Sequence, residues 1–139
     1  MANMQREREK EEKKLINPDY VYAIVGASNH REKYGYKVLI DFREGGYKVI
    51  PINPNAKEIC GLKVYPTLSN YYDKNAGEKI DIVVFVVPAP VTEYVLKEVR
   101  KLGIAKVWLQ PGSESPQAIK YCEDNKINCA HNMCIMVMR

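Results

Sequence analysis

Short apolar runs alternate along this chain with segments in which apolar residues recur every three or four positions, and that alternation lays out its elements. Residues 20–25 are β-branched, aromatic and nearly continuous, which suits a strand covered on both faces. Val38, Leu39 and Phe42 then share one helical stripe, stopped by Gly45-Gly46. Residues 47–52 read as a second strand ended by Asn53-Pro54, and residues 62–65 as a short extra strand before a brief helix opening at Thr67. The strongest strand spans residues 80–87 and is stopped by Pro88. Val91, Val95, Val99 and Leu102 follow at helical spacing, with Gly103 as terminator, and residues 106–110 form a further strand. Ser115 places a capping hydroxyl before Pro116 at the first helical position, opening a helix through Cys122, and residues 127–130 make the last strand. Strands and helices in regular turn predict right-handed crossovers. The fold class is therefore α/β, a three-layer α/β/α sandwich around a mainly parallel, doubly wound sheet.

The chain has 139 residues, 46% apolar and 27% charged, which is ordinary globular usage and enough for one domain with its own core. Residues 1–17 stand apart as a charged N-terminal arm, leaving 18–139 as the domain. Glu9 and Lys13 lie at i,i+4 spacing in that arm, compatible with a solvated helix that Pro18 ends. The longest apolar run, residues 82–90, falls far short of the roughly 20 residues needed to cross a bilayer, so no membrane partner is expected. No apolar signal core follows Met1, and the four cysteines form no CxxC pair; free thiols in a cytoplasmic protein are the expectation. The net charge of +4 is interleaved with acids rather than gathered into a stripe. That argues against a nucleic-acid partner and suits a small anionic ligand.

Open parallel sheets bind ligands beyond the carboxyl ends of their strands, where strand order reverses. The turn after the first strand, Gly26-Ala27-Ser28 and onward to Gly35, carries phosphate-binding chemistry. Gly26 permits close backbone approach, Ser28 offers a hydroxyl, and the next helix, opening near Tyr34-Gly35, offers unpaired N–H groups and a positive dipole end. Arg31 and Lys33 add formal charge. A tight strand-to-helix turn with no ligand would carry the same glycines. The turn is not the nicotinamide fingerprint, because Ser28 stands where a second glycine would and no Asp or Glu ends the second strand. Asn53 at that place tolerates a phosphorylated ribose, which disfavours NAD.

No catalytic constellation assembles and no metal-ligand set is found. No nucleophile elbow surrounds Ser28, and Asp81 opens its strand at the end opposite the expected site. His30 lies in the phosphate turn and His131 just past the last strand. Trp108 alternates with Val107 and Leu109 and belongs to the core, as do Cys122 and Cys129 by their surroundings.

Gly26-Ala-Ser28 with Lys33-Tyr-Gly-Tyr36, Ile52-Asn-Pro54, Gly61-Leu-Lys-Val-Tyr65, residues 81–88, Val107-Trp-Leu-Gln-Pro-Gly112 and the terminal Cys134 together resemble the stand-alone CoA-binding protein family. That family is related to the first domain of NDP-forming acyl-CoA synthetases and of the succinyl-CoA synthetase alpha subunit. The resemblance covers roughly residues 20–135. It implies a Rossmann-like domain binding coenzyme A, or an acyl-CoA, at the C-terminal edge of the sheet, as a carrier or store without catalysis of its own. By position, Gly26, Ala27, Ser28, Lys33, Tyr34 and Gly35 would surround the phosphates, and Asn53 and Pro54 would flank the adenosine. Val87 and Pro88 would form an apolar wall, and Gln110 with Gly112 the far side. Cys134 would lie along the pantetheine arm, where a mixed disulfide with the coenzyme thiol would make the protein redox-sensitive. In the full synthetases a phosphohistidine on another domain does the chemistry, so that role is not assigned to His131. Two alternatives stay open: a CoA-binding component of a multi-chain synthetase, with a partner subunit, and an NAD-binding regulatory module. A homo-oligomer is compatible with each.

Overall fold

In the computed structural model, residues 2–76 and 78–139 are described. A helix α1 (Ala2–Lys13) leads into β1 (Val21–Val25), α2 (Tyr34–Glu44) and β2 (Lys48–Ile52). A small hairpin, β3 (Glu58–Ile59) with β4 (Leu62–Lys63), precedes α3 (Leu68–Lys74). Then come β5 (Ile82–Phe85), α4 (Ala89–Lys101), β6 (Lys106–Leu109), α5 (Pro116–Asp124), β7 (Asn128–Ala130) and α6 (Ile135–Met138). The main sheet runs β2-β1-β5-β6-β7 with every pairing parallel, and its order reverses between β1 and β5.

Both faces of the sheet are covered, which explains why its strands read as continuous apolar runs rather than as alternations. Ala23, Val83, Phe85, Val107 and Leu109 point to one side, against Leu68 of α3, Leu96 and Val99 of α4, and Ala118 and Cys122 of α5. Tyr22, Ile24, Ile82, Val84 and Trp108 point to the other, against Val38, Leu39 and Phe42 of α2, Ile135 of α6 and Leu15. Trp108 is fully buried there, and its indole N–H donates to the Met133 carbonyl at 2.9 Å. Asp81, at the opposite end of the sheet from the strand C-termini, accepts from the Val21 N–H at 2.8 Å. Ser115 and Thr67 cap α5 and α3 as their positions suggest.

Two expectations are corrected. The stripe of α4 centres on Thr92, Leu96 and Val99, with Val95 and Leu102 half-buried against the same core, and only Val91, 41% exposed, leaves the expected face. Helical geometry from the Pro88 cap turns Leu96 inward and Val91 away, although the valines alone suggest a different face. The arm is helical, as its charge spacing allows, but it is not simply solvated. Arg8 and Glu12 pair at 3.2 Å, Arg8 reaches the His131 carbonyl at 3.4 Å, and Glu12 is buried. Leu15 joins the core, and its carbonyl accepts from the Tyr22 hydroxyl at 2.8 Å. Finally, β3 and α6 are too short to show a period and have no signal in the sequence.

Two glycines seat α2 on the sheet. Gly26 adopts φ +97°, and a Cβ there would lie 2.2 Å from the Val86 carbonyl oxygen. A Cβ on Gly35, in the first turn of α2, would lie 1.9 Å from the Gly26 carbonyl oxygen. Backbone therefore packs on backbone, and no side chain fits between. Gly35→Ala is expected to cost about 2–3 kcal/mol by forcing the helix off the strand end, read as a lower midpoint in urea unfolding.

Burial pushes the Tyr22 hydroxyl up to about 12, partly opposed by the Asn17 N–H that donates to it. Burial, with Glu78 next to it, does the same to Tyr71. A raised folded value favours the neutral phenol in the fold, so this stability is complete below about pH 10 and is lost as pH rises toward 12. Urea midpoints should fall between pH 9.5 and 11.5, roughly, and fall less steeply in Tyr22→Phe. An equal slope in the variant would assign the loss to other groups.

Candidate functional site

The turn after β1 is assembled by its own backbone. The Gly26 N–H donates to the Ile52 carbonyl at 3.1 Å, tying the turn to the end of β2. The Ser28 hydroxyl oxygen accepts from the His30 N–H at 3.0 Å, and the Lys33 N–H donates to the His30 carbonyl at 3.0 Å. Lys33 then occupies the cap position of α2 with extended backbone and no side-chain cap. The leading N–H groups of α2 are thus left to a ligand or to water, at the positive end of the helix dipole.

A cleft of about 1520 Å³ opens over this turn, at the C-terminal edge of the sheet where strand order reverses. Gly26, Ser28, Lys33, Tyr34 and Gly35 line it from the turn and the start of α2. Asn53 and Pro54 line it from the end of β2, Val87 and Pro88 from the end of β5, and Gly112 from beyond β6. Ala27, Gln110 and Cys134 stand outside its wall. Ala27 is fully buried, and its carbonyl accepts from the Asn53 side-chain amide at 2.7 Å. Gln110 is 3% exposed and holds α6: its Oε1 accepts from the Ile135 N–H at 2.8 Å, and its Nε2 donates to Cys134 Sγ at 3.3 Å. Each of these residues, read from sequence as a ligand contact, takes part in holding the neighbouring turns.

Asn53 proves to be a structural clamp as well as a lining residue. Its Oδ1 accepts from the Asn55 N–H at 2.7 Å while its amide holds Ala27, so the turns after β1 and β2 are tied together. No carboxylate ends β2.

Two groups of lining residues are not singled out by the sequence. Ser113 is buried, and its hydroxyl oxygen accepts from the Val87 N–H at 3.0 Å, fixing the apolar wall. The outward face of α4 adds Val91, Tyr94, Lys97 and Lys101, with half-buried Val95 at its edge, and the start of α3 adds Thr67 and Ser69. Tyr94 is 76% exposed. The signal for them is the helical period itself: once Thr92, Leu96 and Val99 face the core, these positions face away.

The Ser28 hydroxyl meets a backbone N–H, not a base, and the His30 ring lies 3.8 Å from the exposed Glu32 carboxylate. Among the described residues no three His, Cys, Asp or Glu side chains are grouped to hold a metal. Cys122 and Cys129 lie against each other between α5 and β7, away from the cleft. The neighbouring Cys122 thiol, with burial, pushes the Cys129 thiol up.

Comparison with known proteins agrees with this arrangement. An ADP-forming acetate–CoA ligase of Methanocaldococcus jannaschii is 37% identical over 93 residues, 67% of this chain but only 12% of that enzyme. The alpha subunit of ADP-forming acetate–CoA ligase II of Pyrococcus furiosus is 33% identical over 94 residues, 67% of this chain and 19% of the subunit. The solved structure of a conserved hypothetical protein from Pyrococcus furiosus superposes with a TM-score of 0.79 at 38% identity, covering 86% of this chain and 99% of that one. Helix α1 lies outside the matched family region, which is residues 20–139. Over those residues the chain matches the family described as the CoA binding domain, and it belongs to that family.

Proposed function

We propose that the cleft binds coenzyme A, free or acylated, and that the protein carries or stores it without catalysing its turnover. The observation that carries this reading is the uncapped start of α2 pressed onto Gly26, with Ser28 and Lys33 beside it. A diphosphate placed there meets N–H donors, a hydroxyl and an ammonium at once. Asn53 and Pro54 flank the adenosine in this reading, and the pantetheine runs along Val87 and Pro88 toward Gly112. Cys134 stands outside the cleft, so storage as a mixed disulfide is not needed by it. No helix among the described residues is long and apolar enough to cross a membrane, and the reading places the protein in the cytoplasm.

A second reading is favoured by the ligase relatives: a separately encoded CoA-binding piece that works with a partner subunit carrying the phosphohistidine. Co-purification of acyl-CoA-forming activity with such a partner distinguishes it from a solitary carrier.

Calorimetric titration tests the binding itself. Coenzyme A should bind the wild-type protein at least about tenfold more tightly than NAD. A Ser28→Ala/Lys33→Ala double variant should weaken it by about thirtyfold or more, through loss of charge-assisted contacts. Tighter binding of NAD, or unchanged affinity in the double variant, contradicts the reading.

A further inference from the structure

Two of the four cysteines share one side of the sheet, and the cleft uses neither. Cys129 pairs across the β6–β7 ladder with Val107, and both belong to the side covered by α3, α4 and α5. Cys122 stands in the buried stripe of α5 on that same side. Cys60 packs against the opposite side, and Cys134 Sγ is already engaged, accepting from the Gln110 side-chain amide at 3.3 Å. The thiol that faces Cys129 is therefore that of Cys122.

The chain between them is built to return tightly. At the end of α5 the Ile127 N–H donates to the Cys122 carbonyl at 2.8 Å, and the Lys126 N–H donates to the Glu123 carbonyl at 3.3 Å. With Lys126 at φ +56°, these are the two bonds of a Schellman motif. The Asn125 side-chain amide also donates to the Tyr121 carbonyl at 2.8 Å, closing the last turn of the helix. The Asn128 N–H then donates to the Ala105 carbonyl at 2.9 Å, and the chain enters the sheet as β7 directly beneath α5. Cys122 itself supplies the carbonyl of the longer Schellman bond, so the motif that ends the helix also sets where Cys129 arrives.

We infer that Cys122 and Cys129 form a dithiol that a low-molecular-weight disulfide oxidises to an intramolecular bridge, stapling α5 to β7. Cys122 is fully enclosed and Cys129 half-buried, so the Cys129 thiolate is the one that meets the reagent. Its attack breaks the S–S bond of the reagent, forms a mixed disulfide on Cys129 and releases one small thiol. The Cys122 thiolate then attacks Cys129 Sγ and expels the second small thiol. Two protein thiols are oxidised and one disulfide is reduced, and the two protein protons end on the two departing thiols. The bridge closes a loop over residues 122–129 at the outermost strand, a strand of three residues held to the sheet on one side only. It restricts the unfolded chain and so stabilises the fold. The inference is independent of what the cleft binds.

Oxidation of the whole chain with oxidised glutathione, followed by mass spectrometry, tests it. The protein should lose about 2 Da with no glutathione retained, and dithiothreitol should restore all its thiols. Trypsin isolates Cys122 in residues 121–126, and cyanogen bromide at Met133 parts Cys129 from Cys134. The cross-linked fragment should join residues 121–126 to residues 127–133. The bridged protein should melt about 5 °C higher than the reduced one. The inference is overturned by a glutathione that stays on Cys129 with no bridge, by a bridge to Cys60 or Cys134 instead, or by thiols that all survive the treatment. A bridge that forms without raising the melting midpoint overturns the staple.

Discussion

The contact between the Gly26 carbonyl and the Cα of Gly35 governs this molecule. It leaves 1.9 Å where a Cβ would stand, so α2 approaches the end of β1 more closely than any other pair of residues would allow. That approach brings the start of a helix, with no side-chain cap, to the point where the sheet reverses its strand order. The electrostatics of the cleft follow from it. Helix-end amides, the Ser28 hydroxyl and Lys33 converge on one spot because the backbone there is bare.

The rest of the architecture keeps that spot in register. Asn53 ties the turn after β1 to the turn after β2, and Ser113 holds the chain after β5 through the Val87 N–H. Gln110 plays a comparable part behind the wall, fastening α6. Helix α4 serves both the core and the cleft. Thr92, Leu96 and Val99 fill the interior, while the opposite face, through Tyr94, Lys97 and Lys101, becomes cleft wall. Glu98, between those faces, joins α4 to the start of α3.

Most of the sheet is legible in the sequence because each strand is buried on both faces and reads as an unbroken apolar run. The turn at Gly26–Gly35 is legible because its glycines stand between a strand and a helix. What the sequence leaves unread has physical causes of the same kind. Gln110 and Cys134 follow or precede strand and helix ends in the sequence, but position along the chain does not tell whether a polar side chain turns toward the cleft or back toward α6. Ser113 escapes notice because its role is to accept one backbone N–H from a segment 26 residues away, a contact with no sequence signature. The face of α4 is misjudged when valines are weighted above the single leucine, Leu96, that fills the core. The arm's charges hide the one leucine, Leu15, that anchors it.

The most direct test of the central claim is two-dimensional nitrogen–proton NMR of the labelled protein during titration with coenzyme A. Saturating shifts should concentrate on the amides of Gly26, Ser28, Tyr34 and Gly35, with lesser changes at Asn53 and Val87. Shifts confined to α1, β7 or α6, with the α2 amides unmoved, would contradict the account.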